Sequence, residues 1–202
     1  DGDITIFLAC EDDAGNANSA SNNTELDYYV DASTPVQSNW NPADGETLAT
    51  QTPVITLDTD ENANCRWSLL DQAFGDIDGG NTCGGFGTMS HSCSTSGLAQ
   101  GEEMVYISCA DTLGNEDTAG SNTELSYTID STYPVPSNFD PAKGSTLGTS
   151  EPAISFDTSE GATCRWSLTD DAFDSIPSGG HVPARNRWTT HAIQPVSWKV
   201  PK

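Results

Sequence analysis

The sequence contains an internal repeat with a period of 99 residues. Residues 65–69, which read CRWSL, return as residues 164–168. The alignment carries residues 2–77 onto residues 101–176 without a gap, and beyond Ile176 it is lost. A repeat of this kind means that each copy is one structural unit, so the fold of one unit decides the fold of the chain.

The repeat divides the chain into one complete unit and two complementary fragments. Residues 32–130 form the complete unit, and a short hairpin, residues 1–31, precedes it. The hairpin corresponds to the last two strands of a unit, whereas residues 131–202 correspond to the first five strands followed by a divergent segment. In that segment residues 189–191 (TTH) loosely echo residues 89–91 (MSH). We therefore expect a whole domain flanked by two parts of a second one.

Short segments that alternate between apolar and polar residues predict β-strands. Side chains two positions apart share a face of a strand, so each segment presents one apolar face. The residues on this face of the hairpin are Ile4, Ile6, Leu8, Leu26, Tyr28 and Val30. In the complete unit, the polar residues 58–62 predict a break between a strand over residues 54–57 and another that begins at Ala63.

The charge of the chain limits its partners. There are 30 acidic and 7 basic residues, which gives a formal net charge of −23. A surface of this sign repels phosphate and excludes nucleic acid as a partner. No apolar run reaches 18 residues, so we expect no membrane-spanning segment. After Asp174 the chain has only basic charges, and this tail is either solvated or docks on the acidic body of another copy. The tail residues are Arg185, Arg187, Lys199 and Lys202.

Six cysteines without a CxxC pair indicate disulfides and an oxidising compartment, the alternative being buried free thiols in the cytosol. Cys83 and Cys93 flank a glycine-rich loop, residues 84–87, and are predicted to bond to each other. A zinc site is the other possibility here, but His91 beside two cysteines makes a poor ligand set.

Two motifs carry a family resemblance. The complete unit contains CRWS at residues 65–68 and the pattern YxxCxDxxGN at residues 106–115. These motifs resemble those of the immunoglobulin-like and fibronectin type III-like repeats of bacterial and archaeal surface proteins. The resemblance covers nearly the whole chain, and seven short strands at this spacing agree with it. It implies an all-β fold of tandem immunoglobulin-like β-sandwiches, one complete and one split between the two chain ends, in an extracellular protein.

The resemblance also implies how the remaining cysteines pair. In antibody-type domains the first cysteine lies on the strand before the tryptophan. Here Cys65 lies two residues before Trp67 on one strand, so a bond to Cys109 would join neighbouring strands of a sheet. The repeat places Cys10 and Cys164 at the same two positions, and we expect them to bond between chains.

We expect the two fragments to complete each other in different copies of the chain. Each buried and unpaired backbone group of an incomplete sandwich costs about 1–3 kcal/mol. Consecutive domains should line up end to end, which would place the fragments at opposite ends of the central domain. Strand addition between copies then gives a head-to-tail filament. The acceptor residues expected in the second unit are Ile154, Phe156 and Trp166.

Two alternatives stay open. In the first alternative, the chain is a piece of a longer repeat protein, and the missing strands lie just outside it. Alternatively, it is a segment of a large cell-surface adhesin whose loops bind a glycan or a protein. Trp40 and its repeat counterpart Phe139 are candidates for carbohydrate contact, although packing in the core or at a junction explains them better.

The sequence gives weak signals for a metal and none for catalysis. Acidic turns are weak Ca²⁺ candidates, because Ca²⁺ prefers oxygen ligands, but none has the spacing of an EF-hand. These residues are Asp58, Asp60, Glu61, Asp76 and Asp78. No GxSxG, HExxH or phosphate-binding glycine motif is present. We therefore expect a structural protein that is not an enzyme and needs no cofactor.

Overall fold

The computed structural model describes residues 1–149 and 152–177, and the backbone alone of residues 181–182, 184–185 and 190–193. The fold is all-β. The chain forms two compact units, Asp1–Ser131 and Thr132–Lys202. The boundary between the units lies one residue from the expected one, and the hairpin groups with the central domain in the first unit.

The N-terminal hairpin consists of β1 (Gly2–Leu8) and β2 (Thr24–Val30), which pair antiparallel. Ile4 lies opposite Tyr28, and Ile6 lies opposite Leu26. Residues directly opposite each other in a ladder share a face. The apolar residues of both strands therefore form one continuous face, as the alternation predicts.

The complete unit is a β-sandwich of six strands and two short 3-10 turns. The strands are β3 (Gln37–Asn41), β4 (Thr47–Leu48), β5 (Val54–Ser68), β6 (Thr88–Ser94), β7 (Gly101–Asp111) and β8 (Thr123–Ile129). The turns span Phe74–Asp76 and Gly79–Asn81. The strand order is β3-β5-β7-β8-β4, and β6 also pairs with β5.

The predicted break at residues 58–62 is wrong, because β5 runs continuously through this segment. The first half of β5 pairs with β3 and β6, and its second half, from Ala63, pairs with β7. The strand thus passes from one layer of the sandwich to the other, which strands do through bends and bulges. Thr59 is buried at the crossing point, and its hydroxyl donates to Glu61 O at 2.7 Å. The polar residues therefore bend the strand without ending it.

The core of the complete unit lies between these two layers. Ile55, Cys65, Ile107 and Ile129 are inaccessible to solvent, and Trp67 is buried beside them. Burying side chains of this size stabilises a fold by about 1.5–3 kcal/mol each. Trp40 is half-buried and packs against this cluster, so the core and not a ligand accounts for its position.

The arginine of each CRWSL copy has a structural role. Arg66 lies over the ring of Phe74 at 4.4 Å, and its Nη1 donates to Phe74 O and Ile77 O. Arg165 repeats this arrangement over Phe173 at 4.3 Å. In both units the guanidinium therefore fixes the irregular segment that follows the strand.

The second unit repeats the first layer of the complete one. Its strands are β9 (Pro136–Asp140), β10 (Ile154–Thr158), β11 (Cys164–Arg165), β12 (His181–Val182), β13 (Ala184–Arg185) and β14 (Thr190–Ile193), with a 3-10 turn at Phe173–Ser175. The strands form a sheet ordered β13-β14-β10-β9 and a pair β11-β12. Among the described residues of this unit, no strand takes the place of β7 or β8.

The register of β14 explains the loose echo around His191. Phe156 lies opposite His191, as Leu57 lies opposite His91 in the complete unit. The sequence alignment is therefore lost after Ile176 although the strand returns with one residue inserted. The helical segments among the described residues are too short to cross a membrane.

Candidate assembly site

Both predicted intrachain disulfides are present in the structure. Cys65 Sγ and Cys109 Sγ are 2.07 Å apart, and the two residues lie directly opposite each other on β5 and β7. Cys83 and Cys93 form the second bond. Since these two sulfurs bond to each other, they are not available as zinc ligands beside His91. That imidazole is buried with Nε2 3.1 Å from Thr59 Oγ1, and burial lowers the pKa of His91.

Cys10 and Cys164 are free thiols in the single chain. Cys10 is exposed, and Cys164 is half-buried on β11, where burial raises the pKa of its thiol. Their repeat counterparts, Cys109 and Cys65, are bonded and inaccessible to solvent. The interchain bond between Cys10 and Cys164 stays a prediction.

The hairpin has the backbone geometry of the last two strands of the complete unit. Ile4 pairs with Tyr28 in the hairpin, and Glu103 pairs with Tyr127 at the same repeat positions. The loop is also the same, because Cys10 N donates to Asn18 Oδ1 at 2.8 Å, and Cys109 N donates to Asp117 Oδ2 at 2.8 Å. The hairpin is therefore shaped to occupy the place of β7 and β8 in a sandwich.

The same positions differ in burial. Ile6 is 44% exposed and its counterpart Val105 is 0% exposed. Tyr28 and Tyr127 are 52% and 2% exposed, respectively. The other predicted hairpin residues follow this pattern, with Ile4, Leu8 and Val30 exposed and Leu26 half-buried. One face of the hairpin is thus an apolar surface that the described part of the chain leaves open to solvent.

The predicted acceptor residues lie in the partial core of the second unit. Phe156 is buried, and Ile154, Cys164 and Trp166 pack against it while half-buried. Phe139 is exposed, and its ring centroid lies 5.7 Å from that of Phe156, so packing beside this core accounts for the position of Phe139 without a carbohydrate. Leu147, the counterpart of the buried Leu48, is also exposed.

Of the five weak calcium candidates, Glu61 alone belongs to a group of converging carboxylates within the part of the chain that the structure describes. Asp58 accepts hydrogen bonds from Asn39 and Ser90, Asp60 accepts from Val36 N, and Asp78 accepts from Gly80 N. Asp76 lies in a 3-10 turn. These hydrogen bonds give Asp58, Asp60 and Asp78 structural roles in turns and at the β3–β5 edge.

Glu61 lies with Asp31 and Asp111, their nearest carboxylate oxygens within 4.8 Å of one another. Partial burial raises the pKa of Glu61, and the charges of Asp31 and Asp111 raise it further. Burial pushes the pKa of Asp111 upward, but hydrogen bonds from Asn115, Gly114 and Leu113 outweigh this and lower it. The cluster offers three oxygen ligands, whereas Ca²⁺ takes six to eight. The sequence does not indicate Asp31 and Asp111 as partners of Glu61, because their approach depends on the fold.

A third residue that the sequence did not indicate is Asp117, which is 1% exposed. Its carboxylate accepts hydrogen bonds from Cys109 N and from Gln37 Nε2. Burial raises the pKa of Asp117, and these hydrogen bonds oppose the increase. The exposed hairpin has Asn18 at this position, so the two copies differ here between a neutral amide and a carboxylate.

The basic tail lies largely outside the described residues. The structure gives the backbone of Arg185 and does not describe Arg187, Lys199 or Lys202. Its predicted docking on the acidic body stays a prediction.

Comparison with known proteins gives little similarity. No protein-family model and no curated protein matches the chain. Among solved structures, CopC from Methylosinus trichosporium OB3b is similar over 48% of this chain and 93% of that chain, with 11% sequence identity and a TM-score of 0.33. A likeness of this size carries no conclusion about function.

Proposed function

We propose that this chain is a structural subunit of an extracellular filament or surface fibre that assembles head to tail. In each contact, the β1–β2 hairpin of one copy adds to the second unit of the next copy. The observation that carries the proposal is the burial difference within the repeat, where Tyr28 is 52% exposed and Tyr127 only 2%. The β1–β2 hairpin and the pair β7–β8 have the same backbone geometry, but within the described part of one chain only β7–β8 is covered by a sandwich.

The second unit supplies the surface that the hairpin lacks. In the complete unit, β7 pairs with β5 so that Ile107 lies opposite Trp67. The repeat transfers this register to Leu8 and Trp166, one from each copy. Covering the half-exposed apolar residues of the hairpin should contribute roughly 1 kcal/mol for each, about half the value of a fully buried side chain.

The same register places Cys10 of one copy opposite Cys164 of the next, as Cys109 lies opposite Cys65. A disulfide at this position would link each subunit covalently to its neighbour. Two disulfides already present within the chain support an oxidising location, where such a bond persists. The resemblance of the CRWS and YxxCxDxxGN motifs to surface repeats supports an extracellular one.

The contact is heterologous, because the donor and acceptor surfaces are different parts of the chain. A heterologous contact that does not close on itself generates an open filament. Strand addition of this kind derives affinity from main-chain hydrogen bonds and specificity from the alternate side chains. The proposal therefore requires a polymer with one repeating interface.

Sedimentation velocity and negative-stain electron microscopy of the purified, oxidised chain test the proposal. Tyr28→Ala should abolish assembly, because Tyr28 is on the apolar face of the hairpin. Tyr29→Ala is a matched control, because the neighbouring tyrosine is also exposed but lies on the opposite face, where the complete unit has the exposed Thr128. A monomer at every concentration, or equal loss of assembly in both variants, would contradict the proposal and favour the adhesin segment.

A further inference from the structure

The contacts of Tyr127 in the complete unit show how the second strand of a hairpin binds to the rest of the sandwich. The Tyr127 hydroxyl donates to Pro42 O at 3.0 Å, and the ring belongs to the core cluster that includes Ile55 and contacts Trp40. One residue earlier, Ser126 N and Oγ both donate to Asp44 Oδ1, at 2.7 and 3.3 Å. The loop after β3 thus binds two consecutive residues of β8, one through its core face and one through its outer edge.

The second unit has the same loop with an open groove beside it. Ser145 N donates to Ala142 O, as Glu46 N donates to Ala43 O in the complete unit. The groove has a volume of about 380 Å³ and is lined by Phe139, Pro141, Lys143 and Ile154. These four residues are the repeat counterparts of Trp40, Pro42, Asp44 and Ile55. The groove is therefore the place that a tyrosine equivalent to Tyr127 would fill.

One pair of positions changes its chemistry between the two copies of the repeat. The complete unit joins Ser126 to Asp44 by hydrogen bonds. The hairpin has Asp27 in place of Ser126, and the second unit has Lys143 in place of Asp44. An aspartate at the hairpin position would meet a like charge beside Asp44, whereas it meets an opposite charge beside Lys143. The two substitutions compensate each other only if the hairpin docks on the second unit.

We infer that Asp27 and Lys143 form an ion pair between copies that selects this contact, while Tyr28 of the donor copy occupies the groove and donates to Pro141 O. This inference rests on the proposed filament and specifies the chemistry of its interface. Asp27 is exposed on the hairpin, where Thr5 Oγ1 donates to its carboxylate at 2.7 Å. Lys143 is exposed beside the groove. The pair also disfavours docking of the hairpin on a loop that carries Asp44, so the charges act for one partner and against another.

Charge reversal in full-length chains tests the pair. The background is Cys10→Ser, which keeps assembly reversible, and the readout is the concentration at which half of the chain sediments as polymer. Asp27→Lys and Lys143→Glu should each raise this concentration roughly tenfold, since each replaces an attraction by a repulsion at an exposed site. Glu25→Lys is the matched control on the same strand and face, and it should change little. Circular dichroism confirms that each variant folds, which is expected because both residues are exposed.

The decisive sample is an equal mixture of the D27K and K143E variants. Each variant assembles poorly alone, but in the mixture every contact is matched, so the two should form alternating co-filaments at nearly the wild-type concentration. The double variant D27K/K143E should also recover assembly by itself. Assembly of all variants at the wild-type concentration, or loss without recovery in the mixture, would overturn the ion pair and leave the filament standing. If the Cys10→Ser chain without further substitutions never assembles, the filament itself is refuted.

Discussion

Tyr28 and Tyr127 lie at the same position of one repeat, in hairpins of the same register, but Tyr28 is half-exposed and Tyr127 is buried. The difference does not come from the hairpins, whose ladders and loop hydrogen bonds agree. It comes from what packs against them, because β5, β3 and the core of the complete unit surround Tyr127. The local sequence thus specifies the hairpin, and its neighbours decide whether the apolar face becomes a core or a surface.

Removing the disulfide of the complete unit should have the largest effect on stability. The bond between Cys65 and Cys109 closes a loop with a sequence separation of 44. In the chain-entropy model, Cys65→Ser with Cys109→Ser lowers the free energy of unfolding by roughly 4 kcal/mol. Urea denaturation followed by tryptophan fluorescence measures the loss.

Cys10→Ser is the control at the matching repeat position. It should leave the unfolding midpoint of the monomer unchanged, because Cys10 is exposed and unbonded in the single chain. A loss as large as that of the double variant would mean that the hairpin is already part of a closed core.

Alanine substitution of the two tyrosines should give the second largest difference in stability. Tyr127→Ala empties a buried site and should lower the free energy of unfolding by about 3 kcal/mol, the lower end of the range for large aromatic residues. Tyr28→Ala should change it by less than about 0.5 kcal/mol, as surface substitutions do. Thermal denaturation at a concentration below assembly compares them, and equal losses would refute the assignment of Tyr28 to an open surface.

Asp117 in the complete unit and Asn18 in the hairpin occupy the same repeat position, and they should differ in how stability depends on pH. The folded-state pKa of Asp117 is raised by burial, so its contribution to stability is present below the unfolded pKa and is lost as pH rises through the folded one. Asp117→Asn should therefore match the wild type in acid and be more stable at pH 7, by about 1 kcal/mol, the scale of one hydrogen bond. The Gln37 amide, whose Oε1 has no partner among the described residues, can turn to accept from the new amide.

Denaturation of both proteins across this pH range measures the difference. Asn18→Asp on the exposed hairpin is the reverse substitution, and it should leave monomer stability nearly independent of pH. A D117N variant that is less stable at pH 7 than in acid, relative to wild type, would contradict the burial effect.

Relief of charge repulsion at Glu61 should give the smallest effect. The raised pKa of Glu61 means that its charged form disfavours the folded state, and this penalty appears as pH rises through the folded pKa. Glu61→Gln should therefore stabilise the complete unit at pH 7 by on the order of 0.5 kcal/mol, less in high salt. Asp13→Asn removes an equal charge from an exposed turn and serves as the control.

Alternation of apolar and polar residues, a local signal, predicted most of the strands and their inward faces. The short spacing of Cys83 and Cys93 predicted their bond, and the family resemblance implied the bond between Cys65 and Cys109. The sequence did not predict that β5 continues through residues 58–62, because passing between layers requires the buried Thr59 and partners from β3 and β7. The cluster of Asp31, Glu61 and Asp111 joins residues far apart in the chain. The exchange at Asp27 and Lys143 is visible in the sequence, but its meaning depends on the contact between Ser126 and Asp44.

Disulfide mapping on isotopically mixed filaments decides whether the hairpin of one copy completes the second unit of another. Equal amounts of ¹⁴N- and ¹⁵N-labelled chains are oxidised together, digested without reduction and analysed by mass spectrometry. If subunits are linked in this way, a peptide joins Cys10 to Cys164, and half of its molecules carry one light and one heavy partner. Both thiols free in a monodisperse monomer, or a Cys10–Cys164 peptide with no mixed species, would show that the hairpin does not complete a neighbouring copy.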